Sequence, residues 1–159
     1  MNIEMFFVKT DNRNAVIGYI KNRLCVQPDL PGNQSEWGLE SSYDILLANE
    51  PKRKVAISPV ENGWIAGIES KEVLDFAMLQ EISERLSCEI VVCQLANIAD
   101  SCGYARCNCG QLVENSWSEN DPDPLGTLRV YLRKQSIFFD LLTFREAVRL
   151  RDVGWEILP

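Results

Sequence analysis

Glu61-Asn62-Gly63 separates two apolar, β-branched runs, Val55 to Val60 and Trp64 to Ile68, and so short a spacer leaves room only for a tight reversal. Asn and Gly supply the positive backbone φ that a hairpin turn needs, so the two runs are expected to pair antiparallel. The pattern recurs further on. Tyr104 to Cys109 and Leu112 to Trp117 read as strands joined through the compact turn Asn108-Cys109-Gly110-Gln111. Strands arriving in consecutive hairpins, with helices between them, point to an α+β fold: a mixed or mainly antiparallel sheet with about three helices packed on it. Parallel βαβ winding fits this order of elements less well.

The remaining elements follow from periodicity and caps. Met5 to Val8 begins the chain as an apolar strand, and Asp11 stands where a helix N-cap belongs, ahead of Val16, Ile20 and Leu24 at four-residue steps. The clearest helix runs from about Val73 to Ser87, with Leu74, Met78, Leu79, Ile82 and Leu86 as its inward stripe and Glu81 paired to Arg85 on its outer side. Glu89 to Leu95 has the β-branched, apolar character of a buried strand. Gln27 to Gly38 reads as an irregular loop holding Trp37, Ser42 to Ala48 as a short strand, and Glu50 to Lys54 as a charged turn. Glu119 to Asp123, with Pro122 and Pro124, is expected to be an exposed acidic loop. Thr127 to Leu132 alternates like a strand, Thr143-Phe144-Arg145-Glu146 has the form of a capping box opening a last helix, and Val153 to Leu158 closes against the core through Trp155. No repeat or linker interrupts this series, so residues 1–159 are expected to form a single α+β domain, large enough to bury a core without metals or disulfides.

Charge and hydropathy narrow the function. Apolar runs such as Ile90 to Val92 and Ile137 to Phe139 are far too short to cross a bilayer. The first residues lack the basic and apolar regions of a secretory signal, so a cytoplasmic protein is expected. The formal net charge is −7, with 23 acidic against 16 basic residues, which argues against nucleic-acid binding because phosphate neutralisation needs clustered Lys and Arg. The imbalance is uneven: Leu125 to Pro159 holds six basic and four acidic residues, and the acidity lies before it. An acidic body of this kind can attract a basic partner and speed its docking.

Chemistry is poorly provided for. The chain has no histidine, which removes Ser–His and Cys–His nucleophile pairs and His metal sites. Cys102-x4-Cys107-x-Cys109, with Cys88 and Cys93 upstream, is the densest group of potential ligands, yet it lacks the two close pairs of a structural zinc site. On a strand Cys107 and Cys109 would face the same side, as neighbours in a core or as a redox pair. Arg106 is the one nearby cation that could activate either thiol. The carboxylate pairs Glu36/Glu40 and Asp121/Asp123 lack a setting that would drive their pKa values apart. No glycine pattern matches a phosphate loop, so no catalytic residue, metal or cofactor is assigned.

Four tryptophans remain. Trp64 and Trp155 suit core positions, whereas Trp117 ends a strand beside the acidic loop and Trp37 lies in the irregular one. Large aromatics beside acids are common in protein-binding patches, so Trp37, Trp117, Glu119, Asp121 and Asp123 form the expected partner-binding surface.

Asn62-Gly63-Trp64, a helix ending Arg85-Leu86-Ser87, then Glu89 to Leu95, Asp100, Tyr104 and Asn108-x-Gly110 follow in an order that resembles a loose group of small bacterial α/β proteins, some of immunity-protein type. The resemblance covers residues 55–117 and rests on turns and helix ends. It implies a non-catalytic protein that neutralises a toxin domain through an acidic face. Two alternatives stand beside it: a cysteine-based redox or metal-binding protein, and a homo-oligomeric regulatory or structural protein.

Overall fold

Alternation of side chains across a pleat lets one strand feed two cores, and the apolar runs at Met5–Val8 and Ile90–Cys93 are used in that way. The structure is a computed structural model that describes residues 2–26, 55–69, 75–96, 100–139 and 154–158. In chain order the elements are β1 (Asn2–Lys9), α1 (Arg13–Val26), β2 (Val55–Glu61), β3 (Trp64–Glu69), α2 (Phe76–Arg85), β4 (Glu89–Ala96), β5 (Ser101–Asn108), β6 (Gln111–Ser118), α3 (Pro124–Lys134) and β7 (Glu156–Leu158). Among the described residues the strands form one seven-stranded sheet in the order β6-β5-β4-β1-β3-β2-β7, with every neighbouring pair antiparallel. The fold is α+β, as the hairpins required.

The two faces carry different helices. Phe6 and Val8 of β1, Ile65 of β3, Ile90 and Val92 of β4 and Cys107 of β5 pack with Val16, Ile20 and Leu24 of α1 and with Met78, Leu79 and Ile82 of α2. Met5, Phe7, Ala66, Val91, Cys93 and Leu95 point the opposite way and meet Leu128, Tyr131 and Leu132 of α3, together with Ile137 and Trp155. Phe6 lies across from Gly67 in the β1–β3 register, and a Cβ at Gly67 would overlap the Phe6 ring. Bare backbone at that point is what lets the ring lie flat over the neighbouring strand.

Both hairpin turns have the geometry their residues favour. Asn62 and Gly63 sit at φ 52° and 78°, and Cys109 and Gly110 at φ 49° and 80°, two left-handed residues in each case. The α2 stripe is buried at Met78, Leu79 and Ile82, and Glu81 and Arg85 pair at 2.9 Å on its outer side. Trp155 is buried ahead of β7, as expected.

Three expectations need correction. Thr127 to Leu132 is not a strand but the middle of α3, where Leu128, Tyr131 and Leu132 make a helical stripe and Pro124 occupies the first turn. The cap of α1 is Asn12 rather than Asp11: its Oδ1 accepts from the Ala15 amide at 3.1 Å. Cys107 and Cys109 do not share a side of one strand, because β5 ends at Asn108 and Cys109 has turned into the left-handed hairpin. The expected loop at 27–38, strand at 42–48, turn at 50–54 and helix opening at Thr143 lie outside the described residues, as do Trp37, Glu36 and Glu40.

Candidate binding face at the β5–β6 hairpin

The β5–β6 hairpin is held from behind by α2. Gln80 Nε2 donates to the Gly110 carbonyl at 2.8 Å, and the Gly110 amide donates to Ser83 Oγ at 3.0 Å. Ser83 Oγ donates in turn to the Cys88 carbonyl at 2.7 Å, so the turn is tied to the start of β4 as well. From this anchored turn β6 runs along the rim of the sheet, and among the described residues it pairs with β5 alone. Leu112 is 40% and Val113 51% exposed. The register shifts at this point: Cys107 faces Leu112 while Arg106 faces Glu114, so Val113 is the extra residue of a bulge. Beyond the bulge, Glu114 to Ser118 pairs regularly with Cys102 to Arg106.

Four of the five expected residues, Trp117, Glu119, Asp121 and Asp123, lie at the far end of β6, while Trp37 is outside the described residues. Trp117 is half-buried against the α1/α2 core, and its Nε1 finds no acceptor among the described residues. Glu119 is exposed. Asp121 and Asp123 have local tasks the sequence reading missed. Asp123 is the N-cap of α3 and accepts from the Gly126 amide at 3.0 Å. Asp121 accepts from the Asp123 amide at 2.8 Å, from Thr127 Oγ1 at 2.9 Å and from Cys102 Sγ at 3.6 Å. The Asp123 amide, followed by the Thr127 hydroxyl, holds the Asp121 carboxyl below the usual range. The acidic loop is thus an ordered cap, and Asp121 stays charged while it helps to hold α3 in place.

On the α3 side of the sheet a row of charges crosses four strands. Lys9 of β1 pairs with Glu89 of β4 at 3.5 Å, Glu89 with Arg106 of β5 at 3.0 Å, and Arg106 with Glu114 of β6 at 3.3 Å. Tyr131 of α3 donates to Glu114 at 3.3 Å and stacks on Tyr104 with ring centres 3.6 Å apart. Burial, reinforced by the Glu114 charge, pushes the Tyr131 phenol up and keeps it neutral. Arg106 is held between two carboxylates, so the cation nearest the rim is already neutralised. Sequence reasoning singled out Arg106 as a partner for thiols and missed this row, which depends on strand order. The one local signal was Arg106 and Glu114 flanking the hairpin turn at nearly matched distances.

The thiols fall on both faces of the sheet. Cys88 and Cys107 belong to the α1/α2 core, Cys93 and Cys102 to the α3 core, and Cys25 and Cys109 are exposed. Burial pushes Cys88 and Cys102 up to about 11 and Cys93 to about 12, and raises Cys107 as well. Thiols held protonated in this way are poor nucleophiles and poor ligands. Among the described residues no three Cys, Asp or Glu side chains are grouped to hold a metal ion. The cleft between α1 and α2, about 320 Å³, is lined by Tyr19, Arg23, Met78, Glu81 and Arg85. Its cations are paired: Arg23 with Asp75 at 3.0 Å and Arg85 with Glu81.

No protein-family model, curated protein or solved structure matches the chain. The resemblance over residues 55–117 therefore stands on the order of its turns and helix ends alone. Among the described residues no helix is long and apolar enough to cross a membrane.

Proposed function

We propose that this chain is a non-catalytic binding protein of immunity or antitoxin type, which meets a basic protein partner through the β5–β6 hairpin and the acidic loop that follows it. One observation carries the reading. From Cys107 to Leu128 the sequence holds no Lys or Arg and four acidic residues, Glu114, Glu119, Asp121 and Asp123, and this stretch forms an exposed rim of the sheet and the cap beside it. Half-buried Trp117 supplies an aromatic within it. The protonated thiols, the neutral Tyr131 and the lack of histidine leave this surface better suited to recognition than to proton transfer or nucleophilic attack.

Co-expression with the product of the adjoining gene, followed by size exclusion at two salt concentrations, tests the proposal. A complex should form at low salt, loosen at raised salt, and weaken when Glu119 is changed to Lys. Absence of a complex, or one indifferent both to salt and to that charge reversal, would sink it.

A further inference from the structure

Two of the six cysteines are set opposite each other on a backbone that is pinned from both sides. The β4–β5 register pairs Ile90 with Cys107 and Glu89 with Asn108, and one step outward it places Cys88 across from Cys109. The Cys109 amide donates to the Cys88 carbonyl at 3.2 Å, so the facing continues past the last ladder pair. Ser83 of α2 fixes both partners. Its carbonyl accepts from the Cys88 amide at 3.0 Å, while its Oγ donates to the Cys88 carbonyl at 2.7 Å and accepts from the Gly110 amide at 3.0 Å. Residues bonded across two strands in this way have Cα atoms about 5.5 Å apart, inside the span of about 4.4–6.8 Å that a disulfide bridges. Neither sulfur is strongly held. Cys88 Sγ donates to the Ile82 carbonyl at 3.9 Å and Cys109 Sγ to Asn108 Oδ1 at 3.5 Å, weak bonds that a side-chain rotation gives up. The two thiols differ in access: Cys109 is exposed, whereas Cys88 is buried. Burial, followed by the charge that Cys109 would carry beside it, pushes the Cys88 thiol up to about 11. Cys88 is therefore a slow first nucleophile, but one held in place for a second step.

We infer that Cys109 and Cys88 form a thiol–disulfide site oxidised by hydroperoxides, with Cys109 as the attacking thiol and Cys88 as the resolving one. The Cys109 sulfur attacks one oxygen of the hydroperoxide. A sulfur–oxygen bond forms, the oxygen–oxygen bond breaks, and water or an alcohol leaves, so Cys109 becomes a sulfenic acid. The Cys88 sulfur then attacks the Cys109 sulfur. The disulfide bond forms, the sulfur–oxygen bond breaks, and the Cys88 proton departs with the hydroxide as water. The two thiols together give up two electrons, which reduce one hydroperoxide, and a small thiol returns the pair by exchange. Cys107 is excluded from this chemistry by its place in the α1/α2 core, fully buried and turned away from Cys109. The bridge would add a covalent tie to the hydrogen bonds that already hold the hairpin turn on α2. It requires no protein partner, so it stands apart from the proposed function.

The experiment treats the reduced, folded full chain with a small excess of hydrogen peroxide in mildly alkaline buffer, alkylates the remaining thiols, and reads masses of the monomer after denaturation and trypsin. The parent should lose two of its six alkylatable thiols. The tryptic fragment ending at Arg106, which holds Cys88, should become joined to the fragment beginning at Cys107, which holds Cys109. Cys109→Ser, at an exposed position, should abolish the link, and Cys107→Ala should keep it. Cys88→Ala should leave Cys109 as a sulfenic acid that dimedone traps. Circular dichroism checks that each variant is folded, and the Cys109→Ser chain decides the matter if a core variant is not. A link that survives Cys109→Ser, or is lost in a folded Cys107→Ala chain, would assign the chemistry to another pair and overturn the inference. So would a link that forms only after urea has unfolded the chain. If Cys109 in the parent is merely oxidised like exposed Cys25, with the two fragments still separate, the resolving step does not occur and the site falls.

Discussion

β4 and β6 are each eight residues long and lie on either side of β5, yet they have opposite characters. In β4 the six residues from Ile90 to Leu95 are all buried, with side chains feeding both cores. In β6 no residue is buried, and its exposed positions include Leu112 and Val113 as well as polar groups. The same backbone conformation is stabilised in two ways: β4 by apolar burial on both faces, β6 by pairing with β5, the anchored turn and the Arg106–Glu114 contact. The difference teaches that this sheet tolerates change at its rim and not at its centre, and a binding surface on the rim can vary without endangering the fold.

The comparison can be broken most directly at its centre. Phe6, fully buried between β3 and β4, should cost about 3–5 kcal/mol when replaced by Ala, read as a lower midpoint in urea denaturation. A loss below about 1 kcal/mol would mean that the central strands are not the stabilising unit. Gly67→Ala adds a methyl where the Phe6 ring already lies, and should destabilise by about 1–3 kcal/mol. Combined with Phe6→Leu its effect should shrink, since the two residues share one space.

Alkali probes the same interior through its thiols. Cys93 ionises near 9 when exposed and is pushed up to about 12 in the fold, so between those values the unfolded chain releases a proton that the folded chain keeps. Stability should therefore be intact below pH 9 and fall as pH rises through that window, by about 1.4 kcal/mol per pH unit for this thiol. Thermal melts from pH 7 to 10 should show the decline, and Cys93→Ala should make it shallower, the remainder coming from Cys88, Cys102 and Cys107. A melting temperature that stays level across that range in the parent chain would contradict the burial of Cys93. At the rim, Ser116→Lys should alter stability by no more than about 0.5 kcal/mol while weakening any basic partner. A loss above about 1 kcal/mol there would show that the rim contributes to the fold as the centre does.

Much of this architecture was legible in the residues. The hairpins announced themselves because Asn62-Gly63 and Cys109-Gly110 place a residue tolerant of left-handed backbone ahead of glycine or supply the glycine itself. The stripe of α2 and the continuous apolar run of β4 were equally plain. α3 was misread because Leu128, Val130 and Leu132 alternate like a strand, while Leu128, Tyr131 and Leu132 fit a helix just as well. Asp123 and Pro124 were the deciding signals, a cap followed by a first-turn proline, and they were taken together as a loop. The residues of the expected binding surface fared in the same way. Trp117, Glu119, Asp121 and Asp123 do lie together, which chain adjacency ensured, but the capping tasks of both aspartates depend on α3 being a helix. The charge row from Lys9 to Glu114 spans strands far apart in sequence, and no local pattern encodes which strands will be neighbours.

The strand that opens the chain occupies the middle of the sheet, and this sets a timetable for the ribosome. Lys9 and its partner Glu89 are 80 residues apart, so at ordinary translation speeds β1 leaves the ribosome about 4–16 seconds before β4 can close its second side. For that interval Met5-Phe6-Phe7-Val8 is an apolar strand with an open edge, the kind of segment a nascent-chain chaperone would hold. Yield in the cell is then expected to depend on how quickly residues 10–88 are synthesised and on what shields those four side chains meanwhile.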